Sequence, residues 1–497
     1  MGYDLIAAVD LGSNSFRLQI GRVVGNQIYP LDSLKETVRL ASGLTPGKML
    51  DGPSQLRALE ALARFGEMLR GFDRGAVRAV ATNTLRVAKN AREFLVEAEA
   101  ALGVPIEVIA GREEARLIYL GVAHTLPNPH TRHLVVDIGG GSTEFIIGRN
   151  FQPRLLESLY MGCVSYTLRF FPGGRVTKKA MKDAELAARK ELEAIAHAYL
   201  DAGWDEAVGS SGTAKAIVDL LEMNGLNPGG ATGITRVGLE RLRGALYQAG
   251  SADRLRLEGL RPDRVPVLPG GVAIMSAVFR EFGLERMTFS EGALRLGVLY
   301  DLLGRYHHED LREATVGNFM LRYEVDQRQA ARVGRTALRL LGEMAPEATI
   351  GGHPERQFLS WAARLHEVGI SIAHSSYHKH SAYILENADM PGFSKRDQQR
   401  LARVVLGHRG KLDRVRATTD EPGDWLMIFA LRIAGLLHRS RDDGPDLPVR
   451  AGVTPRGFQL TVKERWLDGL PLTAAALADE AAQWAALGSQ MRLRRVD

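Results

Sequence analysis

At 497 residues the chain is too long for a single core, and about three or four domains are expected. A hydrophobic share of 45% beside 25% charged residues is that of an ordinary soluble globular protein, and the lone cysteine, Cys163, excludes an intrachain disulfide and fits a reducing compartment. The net charge of +6 is concentrated: the segment 395–416 carries eight basic residues against Asp397 and Asp413 and alone nets +6.

Asp4 and Asp10 interrupt the start of the chain, so no signal peptide is expected. Ile6 stands where a myristoylation pattern needs Ser or Thr. The longest nearly uncharged stretch, Val265 to Phe279, holds two prolines and is too short to span a bilayer. The reading expects a soluble, cytoplasmic protein.

In chain order, the apolar run Leu5–Val9 leads into Asp10-Leu-Gly-Ser-Asn-Ser-Phe-Arg-Leu-Gln-Ile-Gly. The run Leu134–Val136 leads into Asp137-Ile-Gly-Gly-Gly-Ser-Thr-Glu-Phe-Ile-Ile-Gly, with five of twelve positions identical to the first. Each copy reads as a buried strand, a tight turn and a returning strand. Two such units predict a duplicated domain with a cleft between its halves. Between them, Leu56, Leu59, Leu62 and Phe65 mark a helix, Ala76–Ala81 a strand, Ala91–Leu102 a helix, Pro105–Ile109 a strand and Arg112–Leu120 a helix. A helix at Lys178–Leu200, a strand near Ala207–Val208 and a Gly-Ser-Ser-Gly-Thr turn follow. This alternation predicts α/β domains with largely parallel sheets.

Beyond about residue 304 amphipathic helical patterns dominate, as at Gln329–Leu341, Phe358–Glu367 and Asp397–Leu406, and nine of the thirteen histidines lie here. The charged stretch Arg305–Glu313 reads as a hinge. After Asp442-Asp443-Gly444-Pro445 a small α+β unit is expected.

Several groups are suited to phosphate chemistry. Converging backbone N–H donors need small residues around them, and Gly12, Ser13 and Asn14 supply these in one half, Gly139, Gly140, Gly141, Ser142 and Thr143 in the other. A Walker loop is excluded, because Gly43, Gly47 and Lys48 have the wrong spacing and Met49 follows. Asp10 and Asp137 end apolar strands, where a carboxylate is costly unless paired or holding a metal. Glu144 on the returning strand can face the same cleft as Asp137, and such oxygen ligands suit Mg2+. The bland alternative makes Asp137 a turn starter and Glu144 an exposed strand residue. Arg86 follows a strand end, where ligands gather in α/β sheets; it reads equally as phosphate clamp or helix surface. Glu114 opens a helix, where the dipole alone accounts for an acid, yet it follows a strand into the presumed cleft. Ser211 and Gly212 lie in a third small-residue turn ahead of a helix, an anion-binding arrangement. Cys163 reads as a small buried residue.

These motifs, with Ala81-Thr-Asn-Thr-Leu-Arg86, Gly111-Arg-Glu-Glu-Ala, Met161-Gly-Cys-Val-Ser, Leu365-His-Glu-Val-Gly and His378-Lys-His-Ser, resemble the exopolyphosphatase/guanosine pentaphosphate phosphohydrolase family, of the actin, sugar kinase and heat-shock chaperone superfamily. The resemblance runs along nearly the whole chain. It implies a duplicated actin-like (ribonuclease H-like) α/β core with lobes at 1–127 and 128–304. An all-α HD-like domain at 305–440 and a small α+β domain at 441–497 would follow. It further implies Glu114 as the water-activating carboxylate and Asp137 and Glu144, with Asp10 beside them, as holders of a divalent cation. Phosphate contacts carry over to Ser13, Asn14, Arg86, Gly139, Gly140, Gly141, Ser142, Ser211 and Gly212. The expected cofactor is Mg2+, and a monovalent cation such as K+ is admitted. The HD-like domain departs from a working metal site, because Glu367 follows His366 and Gln329 stands where the first His belongs. It therefore reads as a substrate-binding platform, with His366, His374 and His408 structural or phosphate-touching.

The favoured activity from sequence is processive exopolyphosphatase action on inorganic polyphosphate. A basic track at Lys395, Arg396, Arg403, Arg409 and Lys411 would hold the chain between cleavages. Guanosine pentaphosphate hydrolysis is the near alternative; a sugar- or acetate-kinase-like phosphotransferase and a silent phosphate-binding regulator are more distant. No DNA partner is expected, the family implies a homodimer, and peripheral membrane association is left open.

Overall fold

The computed structural model describes residues 3–25, 27–128, 130–306, 311–349, 353–419, 421–442 and 447–497. The expected hinge at 305–313 and the break at 442–445 lie partly outside them. The chain divides into two compact units, Met1–Asp310 and Leu311–Asp497.

Unit 1 holds two sheets of matching topology. In the first, β1 (Leu5–Leu11), β2 (Phe16–Val24), β3 (Gln27–Glu36), β4 (Val77–Ala81) and β5 (Ile106–Val108) run in the order β3-β2-β1-β4-β5. In the second, β6 (His133–Ile138), β7 (Thr143–Arg149), β8 (Gln152–Leu159), β9 (Glu206–Ser210), β10 (Ile234–Thr235) and β11 (Arg286–Phe289) run β10-β11-β9-β6-β7-β8. Each sheet starts as an antiparallel meander and continues through parallel partners of its first strand: β4 beside β1, β9 beside β6. The repeated motif thus produces a repeated half-sheet.

β1 and β6 are apolar on both faces because both faces are covered. Ala7, Val9 and Leu11 pack with Phe16, Leu62 and Phe65, while Ile6 and Ala8 pack with Val80, Leu117 and Tyr119. That second cluster also takes Val135, Ile146 and Val208 from the other sheet, so the helix Gly111–Ala123 is shared by both halves. The helix Leu294–Tyr306 crosses it closely: a Cβ at Gly121 or Gly297 would overlap the facing backbone carbonyls of Ala293 or Leu117. This helix pair carries Glu114 to the site.

In unit 2 the helices Gln327–Met344, Pro354–Leu365, Tyr377–Asn387, Lys395–Gly407 and Pro422–Leu437 are followed by β12 (Val449–Thr454), β13 (Gly457–Lys463), the helix Pro471–Ala486 and β14 (Gln490–Val496). β13 pairs antiparallel with β12 and parallel with β14. One core joins the helices to this small sheet: Phe429 stacks on Phe458 at 4.2 Å, and Trp484 meets both rings. The division expected at 440/441 is therefore no boundary between cores. No helix among the described residues is long and apolar enough to cross a membrane; the stretch 265–279 becomes a short 3-10 turn and the buried helix Leu268–Glu281.

Candidate functional site

The site lies within unit 1, where the turns of the duplicated hairpins come together. Pairing of β1 with β2 sets Asp10 opposite Arg17, and pairing of β6 with β7 sets Asp137 opposite Glu144. Arg17 and Glu144 occupy equivalent places in the repeat, so the duplication puts a guanidinium in one half and a carboxylate in the other. The turns touch. A Cβ on Gly140 would lie 3.0 Å from Ser13 Cβ and 3.1 Å from the Asn14 amide nitrogen. Glycine is needed there for close approach of two backbones.

A cavity of ≈ 330 Å³ opens between the halves, lined by Asp10, Glu114, Asp137 and Glu144 among others. Ser13, Asn14, Gly139, Gly140, Ser142, Ser211 and Gly212 also line it. The structure thus brings together most of the residues selected from sequence. Ser211, at φ 71, opens the helix Ser211–Met223 and donates its Oγ to Ile138 O at 3.1 Å. A left-handed non-glycine residue at a helix start is the kind of local strain that gathers at functional turns.

Three assignments change. The Gly139 N–H is occupied by the Ser142 carbonyl at 2.9 Å, closing its own turn, so it is not a donor for phosphate. Arg86 is not on the cavity wall. Its Nη1 donates to Ile109 O at 2.9 Å and to Glu114 Oε2 at 3.0 Å, which makes it a holder of Glu114 rather than a phosphate clamp. Gly141 lies behind the wall, against Asn83 Oδ1 and Ser13 Oγ.

The four carboxylates perturb one another. Burial pushes Asp10 up to about 7, against the pull of Arg295 and Arg17. Burial likewise pushes Asp137 up to about 6, opposed by the neighbouring polar groups of Ser211 and Ser210. Glu144 is raised well above the usual carboxylate range by burial and then by Glu114 and Asp137. Glu114 is raised by burial, with Arg86 opposing. Crowded buried carboxylates favour either protons or a cation, and Asp10 Oδ1 is buried without a hydrogen-bond partner among the described residues. The donor set therefore fits a divalent cation. Among the described residues, however, no three acidic, histidine or cysteine side chains converge as a ligand group, so Asp10, Asp137 and Glu144 do not form a closed three-ligand cage. An ion with few protein ligands, completed by water and phosphate oxygens, matches the habits of Mg2+.

The sequence reading missed the cationic residues of the cavity: Arg17, Lys35, Lys215, Arg261, Arg264 and Arg295. Burial, then Arg295 and Arg264, push Arg17 down to about 10. Arg264 is buried with its Nε lacking a hydrogen-bond partner among the described residues. Carboxylates and guanidiniums lining one cavity suit a phosphate chain held by a metal and by arginine together. Only Arg17 had a signal in the sequence, its place opposite Asp10 in the repeat. Cys163 lines the cavity too, but burial raises its thiol, so it is not a ready thiolate.

The basic segment in unit 2 is not a uniform free strip. Arg400 and Arg403 bind the fully buried Asp424 at 2.7 and 3.4 Å, and Arg409 lies over the Tyr377 ring at 5.2 Å. Lys395 is half-buried, and Arg396 and Lys411 are exposed.

The pattern of the Ppx/GppA phosphatase family matches residues 19–306, and that of domain III of the same family matches 311–481. The chain belongs to the Ppx/GppA phosphatase family, and it is a hydrolase acting on phosphoanhydride bonds. It is 37% identical over 494 residues to the guanosine-5'-triphosphate,3'-diphosphate pyrophosphatase of Aeromonas hydrophila, covering 98% of each chain. The protein of that name from Pseudoalteromonas translucida is 37% identical over 493 residues, covering 98% of this chain and 97% of the relative. Among solved structures, the Aquifex aeolicus PPX-GPPA enzyme is similar at 27% identity and a TM-score of 0.50, over 60% of this chain and 98% of that one. An exopolyphosphatase from Cytophaga hutchinsonii, at 24% identity and a TM-score of 0.54 over 60% of this chain and 97% of its own, shares the fold.

Proposed function

We propose that this phosphohydrolase removes the terminal 5'-phosphate of guanosine pentaphosphate, releasing orthophosphate and guanosine tetraphosphate. The observation that carries this reading is the end-to-end match, across both units, to relatives named for that activity. It displaces the preference for polyphosphate drawn from sequence. Of the motifs behind that preference, one packs under a turn of the site and another lies in unit 2. Met161-Gly-Cys-Val packs beneath the second glycine turn, with Cys163 N on Gly139 O at 2.9 Å and Val164 N on Gly140 O at 3.0 Å. His378 lies in unit 2, outside the catalytic cavity.

In the proposed mechanism the terminal phosphoryl group sits between the two turns, facing Ser13, Asn14, Gly140 and Ser142. Asp137 and Glu144 would hold Mg2+, which when bound neutralises charge on the phosphate oxygens. Glu114, oriented by Arg86, aligns a water and takes its proton. The water oxygen bonds to the terminal phosphorus as the bond to the bridging oxygen breaks, and the electron pair leaves with the shortened nucleotide. Arg17, Arg264 and Arg295 oppose the charge gathering on that leaving group. Positioning and electrostatics dominate such reactions, and a carboxylate raised above its usual range is better matched to accepting a proton near neutral pH.

Orthophosphate release from guanosine pentaphosphate and from long-chain polyphosphate, measured side by side with Mg2+, tests the assignment. A higher kcat/KM for guanosine pentaphosphate is expected. A ratio favouring polyphosphate would return the enzyme to the exopolyphosphatase reading.

A further inference from the structure

We infer that a cavity in unit 2 is a second, non-catalytic binding site for a nucleoside phosphate. This inference does not depend on which anhydride the unit 1 site cleaves.

The cavity has a volume of ≈ 460 Å³, against ≈ 330 Å³ for the catalytic one. That is within the range of sites that enclose ligands of nucleotide size, and an orthophosphate ion would leave most of it unfilled. Its wall is assembled from the ends of four helices, Pro354–Leu365, Tyr377–Asn387, Lys395–Gly407 and Pro422–Leu437, and closed by the helix Pro471–Ala486. Helix ends deliver the chemistry: His366 and His408 follow directly on two of these helices.

Both imidazoles are buried and of defined tautomer. His366 Nδ1 is 2.8 Å from Ala363 O, and His408 Nδ1 bonds to Val405 O. A carbonyl can only accept, so each Nδ1 carries the proton and each Nε2 is left as an acceptor. Burial lowers the basicity of both rings, which keeps them neutral. His408 Nε2 has the Tyr377 hydroxyl at 3.3 Å, whereas His366 Nε2 faces the Glu367 carboxylate at 3.9 Å, beyond hydrogen-bond distance. An acceptor so placed on the cavity wall is able to take an O–H or N–H from a ligand. A ribose or a base edge supplies one; a phosphate, which is mainly an acceptor, does not.

The same wall carries guanidiniums for the phosphate. Two acids of the cavity are already neutralised, Glu367 by Arg441 at 2.6 Å and Glu480 by Arg432 at 2.5 Å. Arg409, seated on Tyr377, and Arg439 add positive charge to a lining that also holds Asp479. A metal ion fits this cavity poorly. Glu367 is taken by Arg441, the Gln329 amide donates to His438 O at 2.8 Å, and no group of three ligating side chains forms among the described residues. Neutral acceptors beside arginines select a ligand with both sugar or base donors and phosphate oxygens.

The test uses the full chain carrying Glu114→Gln, so that nucleotide is not consumed, and follows amide hydrogen exchange. Guanosine tetraphosphate, tripolyphosphate and orthophosphate are added separately at equal concentration. Guanosine tetraphosphate should protect segments 366–378, 408–410 and 432–441 in addition to the catalytic turns at 10–15 and 137–144. Adding Arg409→Glu and Arg439→Glu, both exposed, should weaken binding at unit 2 by about tenfold or more and leave protection of the catalytic turns intact, with an unchanged melting temperature as the check on folding. Absence of unit 2 protection, or protection indifferent to the two charge reversals, overturns the inference. Equal protection by tripolyphosphate or orthophosphate overturns the nucleoside part of it. Loss of protection confined to segments 10–15 and 137–144 would count against the catalytic reading alone.

Discussion

Glu114 is the residue on which turnover should depend most. It is buried, raised in pKa, and hydrogen-bonded to Arg86 beside the carboxylates of Asp137 and Glu144. Glu114→Gln keeps the shape and the Arg86 contact but removes the base, so kcat should fall by about 10²–10⁴ while calorimetric affinity for substrate stays nearly unchanged. Retained turnover would take the residue out of that role. The neighbouring acids give a pH prediction with a definite sign. Asp10 at about 7 and Asp137 at about 6 hold protons that a cation must displace. Lowering the pH from 8 to 6 should therefore weaken Mg2+ binding measured by calorimetry. The same groups, raised above their unfolded values, withdraw stability as pH rises through those values. Mg2+ should consequently raise the melting temperature more at pH 8 than at pH 6. Asp10, Asp137, Glu144 and the glycine turns were legible because strand, turn and acid recur as a repeat. Arg261 and Arg264 were not, since they lie in irregular chain without period or motif. The orientation of Arg86 toward Glu114 is a matter of side-chain geometry that no spacing encodes.

The helix Gly111–Ala123 shows how an element can be placed by charge as well as by packing. Arg116 donates to Glu113 at 2.8 Å and to Asp301 at 2.5 Å, and Arg78 reaches Asp301 at 2.6 Å, all with side chains nearly shut off from solvent. This buried network ties the helix bearing Glu114 to β4 and to the helix Leu294–Tyr306. Asp301→Ala would leave two guanidiniums short of a partner, at a cost of about 3–5 kcal/mol. Chemical denaturation should register that loss as a lower midpoint, and kcat should drop with it if the helix shifts. An unchanged midpoint would mean that water or a neighbouring acid compensates. Element positions themselves read well from periodicity: the helix expected at Ala91–Leu102 is Ala91–Leu102, and that expected at Lys178–Leu200 is Lys178–Ala202. Thr82–Arg86, placed from sequence only as the segment after a strand end, forms the short helix Asn83–Val87. Five residues are too few for an apolar period to declare itself.

The largest departure from the sequence reading concerns how cores are divided. Composition changes near 442 and shorter patterns after it suggested a separate domain at 441–497, yet the hydrophobic cluster of unit 2 runs without a break from Val316 to Met491. Local pattern reports which face of an element is apolar, not which element will cover it. The two views predict different behaviour for a chain ended at Asp442. A separate domain could be removed with little effect on the helices. The shared core implies otherwise: truncation uncovers Phe429 by taking away Phe458 and Trp484, and it strips Glu480 from the buried Arg432. Losing the partner of a buried guanidinium costs about 3–5 kcal/mol, and each large apolar side chain withdrawn from the core adds about 1.5–3 kcal/mol. Phe458, Leu460, Val462 and Trp484 all go together, so the total reaches the whole stability of a typical domain, about 5–15 kcal/mol. A fragment 311–442 should therefore lack a cooperative thermal transition and bind a hydrophobic dye, while 311–497 melts cooperatively. A sharp transition in the shorter fragment would restore the boundary at 440.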